Sequence, residues 1–178
     1  MGFAIRTPRL LLREWRDEDS GAFATMSADP VLTEFLLPPD ENWVLRARQR
    51  WLEHGFGQFV VELPGEAPFV GVVRLSDLHH LAPAAPAIEA AWRLAKPYWG
   101  RGYALEAARA AIEDGLYRLG LDEIVAITVV GNQRSRRVME RLGMRRDTAG
   151  DFDFEHPRLP DGHPLRRHVL YRIRRPAP

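Results

Sequence analysis

Three side chains and one glycine turn in this 178-residue chain could do chemistry. Glu89 is a carboxylate inside an otherwise apolar run, Ile88-Glu89-Ala90-Ala91-Trp92-Arg93-Leu94. In a regular strand Glu89, Ala91 and Arg93 share one face, and Ile88, Ala90, Trp92 and Leu94 the other. A free carboxyl, with a pKa of about 4.3, serves as a base at neutral pH only through burial or a water relay. Equally, Glu89 can simply pair with Arg93 or another arginine. Ser135 shares a helical face with Val138, Met139 and Leu142, the apolar face, so its hydroxyl points inward and needs a partner. Alternatively it back-bonds to its own helix, with Asn132 as the N-cap. Tyr171 lies in an alternating strand and is a second candidate acid or a core tyrosine.

The turn is Pro97-Tyr98-Trp99-Gly100-Arg101-Gly102-Tyr103-Ala104. It leaves the run around Glu89 and opens a helix whose stripe is Leu105, Ala108, Ile112, Leu116 and Leu119. Glu106, Arg109 and Glu113 lie off that stripe and can pair along the exposed side. Gly120 can take the left-handed conformation that ends a helix. Glu123 to Val130 is largely apolar and β-branched, as a strand buried on both faces would be. Strand, turn, helix and strand make a right-handed βαβ unit with two parallel strands. A helix start presents unpaired N–H groups and the positive end of a dipole, and glycines let a ligand approach, which suits a phosphate or pyrophosphate. Neither the dinucleotide fingerprint nor the P-loop fits: Leu105 stands where the third glycine belongs, and no Gly-Lys-Ser/Thr is present.

A second motif follows that strand: Asn132-Gln133-Arg134-Ser135, then Leu142-Gly143-Met144. Trp-Gly-Arg-Gly-Tyr-Ala and Asn-x-x-Ser…Leu-Gly-Met, separated by one helix and one strand, resemble the GNAT acetyltransferases. The resemblance is strongest to the branch of ribosomal-protein N-terminal acetyltransferases. Thr7-Pro8-Arg9-Leu10-Leu11-Leu12-Arg13 and Gly71-Val72-Val73-Arg74-Leu75 fit the same branch, so the likeness covers nearly the whole chain. It implies an α/β domain spanning 1–178, with a mixed, twisted central sheet flanked by helices. It implies acetyl-CoA as cofactor, with the pyrophosphate on the backbone of Arg101 to Ala104. Trp92, Leu94, Trp99, Gly100, Arg101, Gly102, Tyr103, Ala104, Asn132, Arg134 and Arg137 are the implied coenzyme contacts. Trp99 stands where the family's turn often has Gln or Arg, so the implied cradle is the backbone. Glu89 is implied as the base and Ser135 as the acid that gives the coenzyme sulfur its proton. Arg134, Arg137 and Arg141 form an exposed face; such a stripe is solvated or, beside this turn, holds the ribose phosphate.

Composition bounds the rest. A net charge of +1 gives no bulk argument for nucleic acid or membrane. The absence of cysteine excludes disulfides, thiolate metal sites and an acyl-cysteine intermediate. With no triad visible, the simplest acyl transfer is direct attack in a ternary complex. No run reads as a signal peptide or a membrane span, so the expected location is cytoplasmic. His79-His80 has no further ligands at metal spacing and reads as a solvated loop, so no metal is expected.

The remaining expected elements are a strand over Arg9 to Trp15, a helix entered at Asp17-Glu18-Asp19-Ser20 with Phe23 and Met26 inward and stopped by Asp29-Pro30, and a helix from Asn42 to Gly55 with Trp43, Ala47, Trp51 and Leu52 on one side. A hairpin of Gln58 to Glu62 and Phe69 to Leu78 follows. Met144 to Glu155 is expected near the sheet edge, and His168 to Ile173 closes the sheet. The expected activity is acetylation of a primary amine, on a protein N-terminus or a small molecule. The alternative is a non-catalytic acyl-CoA-binding protein, and a third is a protein-interaction domain. Loops around Leu36 to Asp40 and Glu155 to Pro164 would rim the acceptor pocket, with Asp40, Glu41, Asp151, Asp153 and Glu155 attracting a cationic amine. A homodimer is compatible with the sequence, which leaves oligomeric state and acceptor identity open.

Overall fold

The structure is a computed structural model that describes residues 2–36, 42–78 and 86–176. Its centre is an eight-stranded mixed sheet. The strands are β1 (Ala4–Arg6), β2 (Leu11–Arg13), β3 (Gln58–Leu63), β4 (Ala67–Leu78), β5 (Ala87–Leu94), β6 (Glu123–Val129), β7 (Arg145–Asp153) and β8 (Arg167–Arg174), in the order β1-β2-β3-β4-β5-β6-β8-β7. The helices are α1 (Asp19–Ser27), α2 (Pro30–Thr33), α3 (Trp43–His54), α4 (Tyr103–Glu113) and α5 (Gln133–Arg141). The α/β expectation holds, including the parallel pairing of β5 with β6 across the α4 crossover.

Several local expectations are corrected. The strand expected over Arg9 to Trp15 is present as the shorter β2, and β1, which was not expected, pairs with it in a hairpin. Pro8 cannot donate to a ladder, and the chain turns there, with Thr7 N–H on the Leu10 carbonyl at 2.9 Å. Strand β8 does not close the sheet: it lies between β6 and β7, antiparallel to both, and β7 is the edge. Glu106 does not pair along α4, because its carboxylate accepts from Thr7 Oγ1 at 2.6 Å and Arg9 Nε at 2.6 Å. Arg109 donates to the Arg141 carbonyl. Leu52 is 88% exposed, being 100° around the helix from Trp51, which packs on Phe3 and Phe59.

Asp19 does more than favour a helix dipole: it is buried and takes a two-pronged bond from the buried Arg13 at 2.8 Å on each oxygen. Asp29 ends α1 as expected, then caps the single turn α2 by accepting from Val31 N–H at 2.9 Å.

Two apolar cores sandwich the sheet. On one side α4 and α5 bury Ala107, Ala108, Ala111, Ile112 and Met139 against Leu75, Ala90 and Ile124. Alanines on the inner face let α4 lie close to the strands. The chain then widens into one π-helical turn, Asp114–Arg118, where Gly115 sits so near the sheet that a Cβ would be 2.7 Å from Ile124 Cδ1. On the other side α1 and α2 bury Trp15, Phe23, Met26 and Leu32 against Val60, Phe69 and Val72. Trp43 stacks on Phe23 at 4.2 Å and ties the start of α3 to this layer.

Candidate active site

The site begins with a break in the sheet. Strands β5 and β6 are registered at one pair, Glu89 with Val125, and part beyond it. A cleft of about 430 Å³ opens between them, lined by residues from β3, β4, β5, α2, α4 and α5. Ala95 N–H donates to Val70 O at 2.9 Å, in the same register as the β4–β5 ladder. Antiparallel bonding alternates, so the peptide groups of Ala91 and Arg93 point to β4, and those of Trp92 and Leu94 point into the gap. One of these is taken: the Trp99 indole donates to the Leu94 carbonyl at 2.7 Å. Trp99 therefore braces the turn against the end of β5.

The glycine turn has the geometry of an anion cradle. Gly100 and Gly102 have φ of 74° and 81°, and Gly102 is the N-cap of α4. Both adopt the left-handed conformation at little cost, which a side chain would not. The first bond behind the helix is Glu106 N–H to Gly102 O, so the N–H groups of Tyr103, Ala104 and Leu105 are left for a ligand. Arg9 clamps the turn from outside, donating to the Arg101 carbonyl at 2.9 Å and lying over the Tyr103 ring at 4.7 Å. Although burial pushes Glu106 up, bonds from Thr7 and Arg9 hold it below the ordinary carboxylate value.

Across the gap, α5 begins as the spacing predicts. Asn132 Oδ1 caps it by accepting from Ser135 N–H at 3.1 Å, while Asn132 Nδ2 donates to Thr128 Oγ1 at 3.1 Å. That leaves the Ser135 hydroxyl, on the cleft wall, without a hydrogen-bond partner among the described residues. Arg134 lies over Trp99 at 4.5 Å and bonds Glu34 at 3.2 Å, so it bridges the two lips of the cleft. Arg137 and Arg141 are exposed at the cleft. A peptide cradle, a gap edged by Trp92 and Leu94 peptides, and these cations fit a coenzyme with a pyrophosphate and an amide-bearing arm.

Of the other half of the cleft, the sequence pointed to Glu89 and to Leu36, where an expected loop begins, both of which line it, and not to the rest. Glu89 is 6% exposed and pairs with Arg74, Oε2 to Nη2 at 2.9 Å, so its partner is a diagonal neighbour on β4 rather than Arg93. The Glu89 Oε1 atom has no partner among the described residues. Arg93 and Gln58 also line the cleft, and Leu32, Phe35, Trp43 and Val72 supply its apolar wall. The alternation of Val72, Arg74 and Ser76 along β4 was the one available signal for Arg74.

Some expected groups are not brought to the cleft. The Tyr171 hydroxyl sits beneath α5, donating to Glu140 Oε1 at 3.1 Å and accepting from Arg136 Nε at 3.4 Å. Asp151 is bound by Arg146, and Asp153 lies 3.6 Å from Arg167; neither lines the cleft, and Glu155 does not either. Asp161 to Pro164 instead line a second cavity that adjoins the first at Phe35. Asp40, Glu41, His79 and His80 fall outside the described residues.

A family profile described as Acetyltransferase (GNAT) domain matches residues 9–145. The uncharacterized N-acetyltransferase YnaD of Bacillus subtilis is 28% identical over 147 residues, covering 80% of this chain and 83% of its own length. The acetyltransferase of Agrobacterium tumefaciens superposes with a TM-score of 0.76 at 25% identity, over 97% of this chain and 94% of that one. The ribosomal-protein-S5-alanine acetyltransferase of Vibrio fischeri shares the fold, with a TM-score of 0.71 at 18% identity over 97% and 96% of the two chains. A parted β5–β6 pair, a glycine turn at the mouth of the gap and a profile covering most of the sequence converge: this chain belongs to the GNAT acetyltransferases.

Proposed function

We propose that the chain moves the acetyl group of acetyl-CoA to a primary amine by direct attack in a ternary complex. Acetyl-CoA is the acyl donor of the family. It supplies an activated thioester, so that a C–N bond forms as the C–S bond breaks.

The observation that carries the reading is that Glu89 and Ser135 line one cleft from opposite sides of the β5–β6 gap. Arg74 holds one oxygen of Glu89 and leaves the other to accept the proton that the amine must lose, directly or through water. The Ser135 hydroxyl gives its proton to the departing sulfur and is free to do so because Asn132, not Ser135, caps α5. The N–H groups behind Gly102 and the peptides of Trp92 and Leu94 orient the coenzyme, and Arg137 faces its phosphates. No residue forms a covalent link, in keeping with the absence of cysteine.

The test is thiol release from acetyl-CoA across grouped amines, alongside coenzyme binding by calorimetry. Ser135→Ala should lower kcat roughly 10²–10⁴-fold, the range for one general acid or base, while coenzyme affinity changes little. Glu89→Gln should lower the rate at neutral pH with coenzyme affinity intact. Coenzyme binding with no turnover on any amine would replace this reading with a non-catalytic acyl-CoA-binding protein.

A further inference from the structure

Among the buried polar side-chain atoms of the described residues, few lack a hydrogen-bond partner, and two of the residues concerned line the same cleft. Gln58 is 4% exposed, and both its amide oxygen and its amide nitrogen are unpartnered. Arg93 buries Nη1 with no partner, and no other hydrogen bond from its guanidinium is present among the described residues. Orphaned polar groups are uncommon in folded proteins, and an orphaned cation is the costliest kind. Burial, followed by the nearby charge of Arg74, pulls the Arg93 guanidinium down to about 10. It still carries its charge at neutral pH.

The sheet register puts these groups on one face. Gln58 pairs with Arg74, and Arg74 with Ala91, one residue pair from Arg93 on the same side. That face therefore presents Arg74, Arg93, Gln58 and Glu89. Glu89 is bonded to Arg74, which leaves the positive charge of Arg93 unmatched. Above it stand Leu32, Phe35 and Trp43. A polyamine would set an ammonium against an unpaired guanidinium in this space. A group with a negative charge and hydrogen-bond acceptors would satisfy both Arg93 and the Gln58 amide.

We infer that the acceptor is an amino carboxylate with an apolar body, its carboxylate seated on Arg93 and Gln58 and its amine directed to Glu89. This rests on the acyl-transfer reading and names the substrate class for it. Arg93 and Glu89 are four residues apart on β5, roughly 13 Å between their Cα atoms at strand rise. Both side chains line the same cleft on one face of the sheet, so a zwitterion lying along that face can meet both. The apolar wall covers the body of the molecule, and the guanidinium matches a carboxylate in shape as well as charge. The Gln58 amide donates to the same carboxylate or accepts from an amide within the acceptor.

The probes are phenylalanine and 6-aminohexanoate, each compared with its neutral amide, titrated by calorimetry into the protein in the presence of coenzyme A. At least one acid should bind ten-fold or more tightly than its amide, and Arg93→Met should abolish that preference. Arg93→Met should also raise the melting temperature of the ligand-free protein, since a well-packed apolar chain then replaces an unpaired buried charge. Acid and amide binding equally, no binding by any probe, or a preference that survives Arg93→Met would each overturn the inference. Because these are binding measurements, failure of the acyl-transfer reading shows separately, as an absence of thiol release on the whole amine panel.

Discussion

The two walls of the cleft, which we propose receive the coenzyme and the acceptor, are built by different means. The coenzyme wall presents mainly peptide groups, the N–H groups behind Gly102 and the Trp92 and Leu94 peptides, flanked by the Asn132 side chain and the arginines of α5. Most of it comes from one stretch, Trp92 to Arg141. The acceptor wall is built from side chains: Gln58 on β3, Arg74 on β4, Glu89 and Arg93 on β5, and an apolar cover from α2 and the start of α3. A peptide cradle tolerates any sequence that keeps its glycines. A side-chain wall can change its ligand by single substitutions while the fold stays in place. Within a family that keeps its donor, the second wall is therefore the one free to diverge.

If the walls are separable, damage to one should spare the other. The largest expected effect is Asp19→Ala. Arg13 and Asp19 are both 5% exposed at the side chain, and Arg13 also holds Glu62 at 2.7 Å and the Pro68 carbonyl at 2.8 Å. The Asp19 bond comes first among the causes that raise the Arg13 guanidinium above its ordinary value, against the pull of burial. Breaking a buried pair from one side costs about 3–5 kcal/mol. This pair ties α1, and through it α2, to β2 and β4. Urea melts should show that loss. In the folded fraction, acceptor KM should rise while coenzyme affinity holds. Equal loss of both ligands would mean the walls are one unit.

Next in size is Gly102→Val. A side chain at φ 81° costs about 1–2 kcal/mol in conformation. It also obstructs approach to the cradle, so coenzyme affinity should fall about ten-fold or more, on the scale of ~1.4 kcal/mol per decade. Gly143→Val is the matched control. It has φ 82° and open space around it, but lies outside the cleft, so it should lose stability and keep coenzyme affinity. If the two variants lose coenzyme alike, the turn is only a structural corner.

The same contrast explains what was legible beforehand. The glycine turn, the α4 and α5 helices, the Asn132 cap and the parallel crossover could be read because each depends on neighbours a few residues away. Of the acceptor wall, only Glu89 could. Arg74 meets Glu89 only through the β4–β5 register, and Gln58 joins them from a third strand. The acids of the second half of β7 looked like an attractive rim because sequence shows charge without showing pairing; Arg146 and Arg167 already hold Asp151 and Asp153. Tyr171 falls on the α5 side of β8, where Glu140 and Arg136 take its hydroxyl. Glu106 looked like a surface helix charge because its partner, Arg9, is 97 residues away.

The smallest expected effect uses pH to separate the two halves. His168, on β8, stacks on Phe152 at 5.3 Å, and its Nδ1 lies 2.8 Å from the Arg166 carbonyl. Burial pushes its pKa below the ordinary 6.5; the Arg166 bond and the charges of Glu89 and Asp153 oppose this without reversing it. The native state therefore binds its proton less readily than the unfolded chain. Stability is complete above the unfolded pKa and falls as pH drops through about 6.5 toward the folded value, by at most about 1.4 kcal/mol per pH unit for one group. Glu106, at the coenzyme turn, has the opposite window. Its pKa is lowered from 4.5, so its contribution persists throughout that interval and is lost only at still lower pH. Between about pH 6.5 and pH 4.5, the ordinary value from which Glu106 is lowered, β8 should therefore weaken while the Thr7–Arg9–Glu106 clamp holds. Melting temperatures measured across that interval should slope downward with acidity in the native sequence, and less so in His168→Gln. Protection against hydrogen exchange, taken relative to the intrinsic rate at each pH, should fall in β8 before the start of α4. An unchanged slope in His168→Gln would remove His168 as the cause, and earlier loss of protection at α4 would place the acid-sensitive group at the coenzyme turn instead of β8.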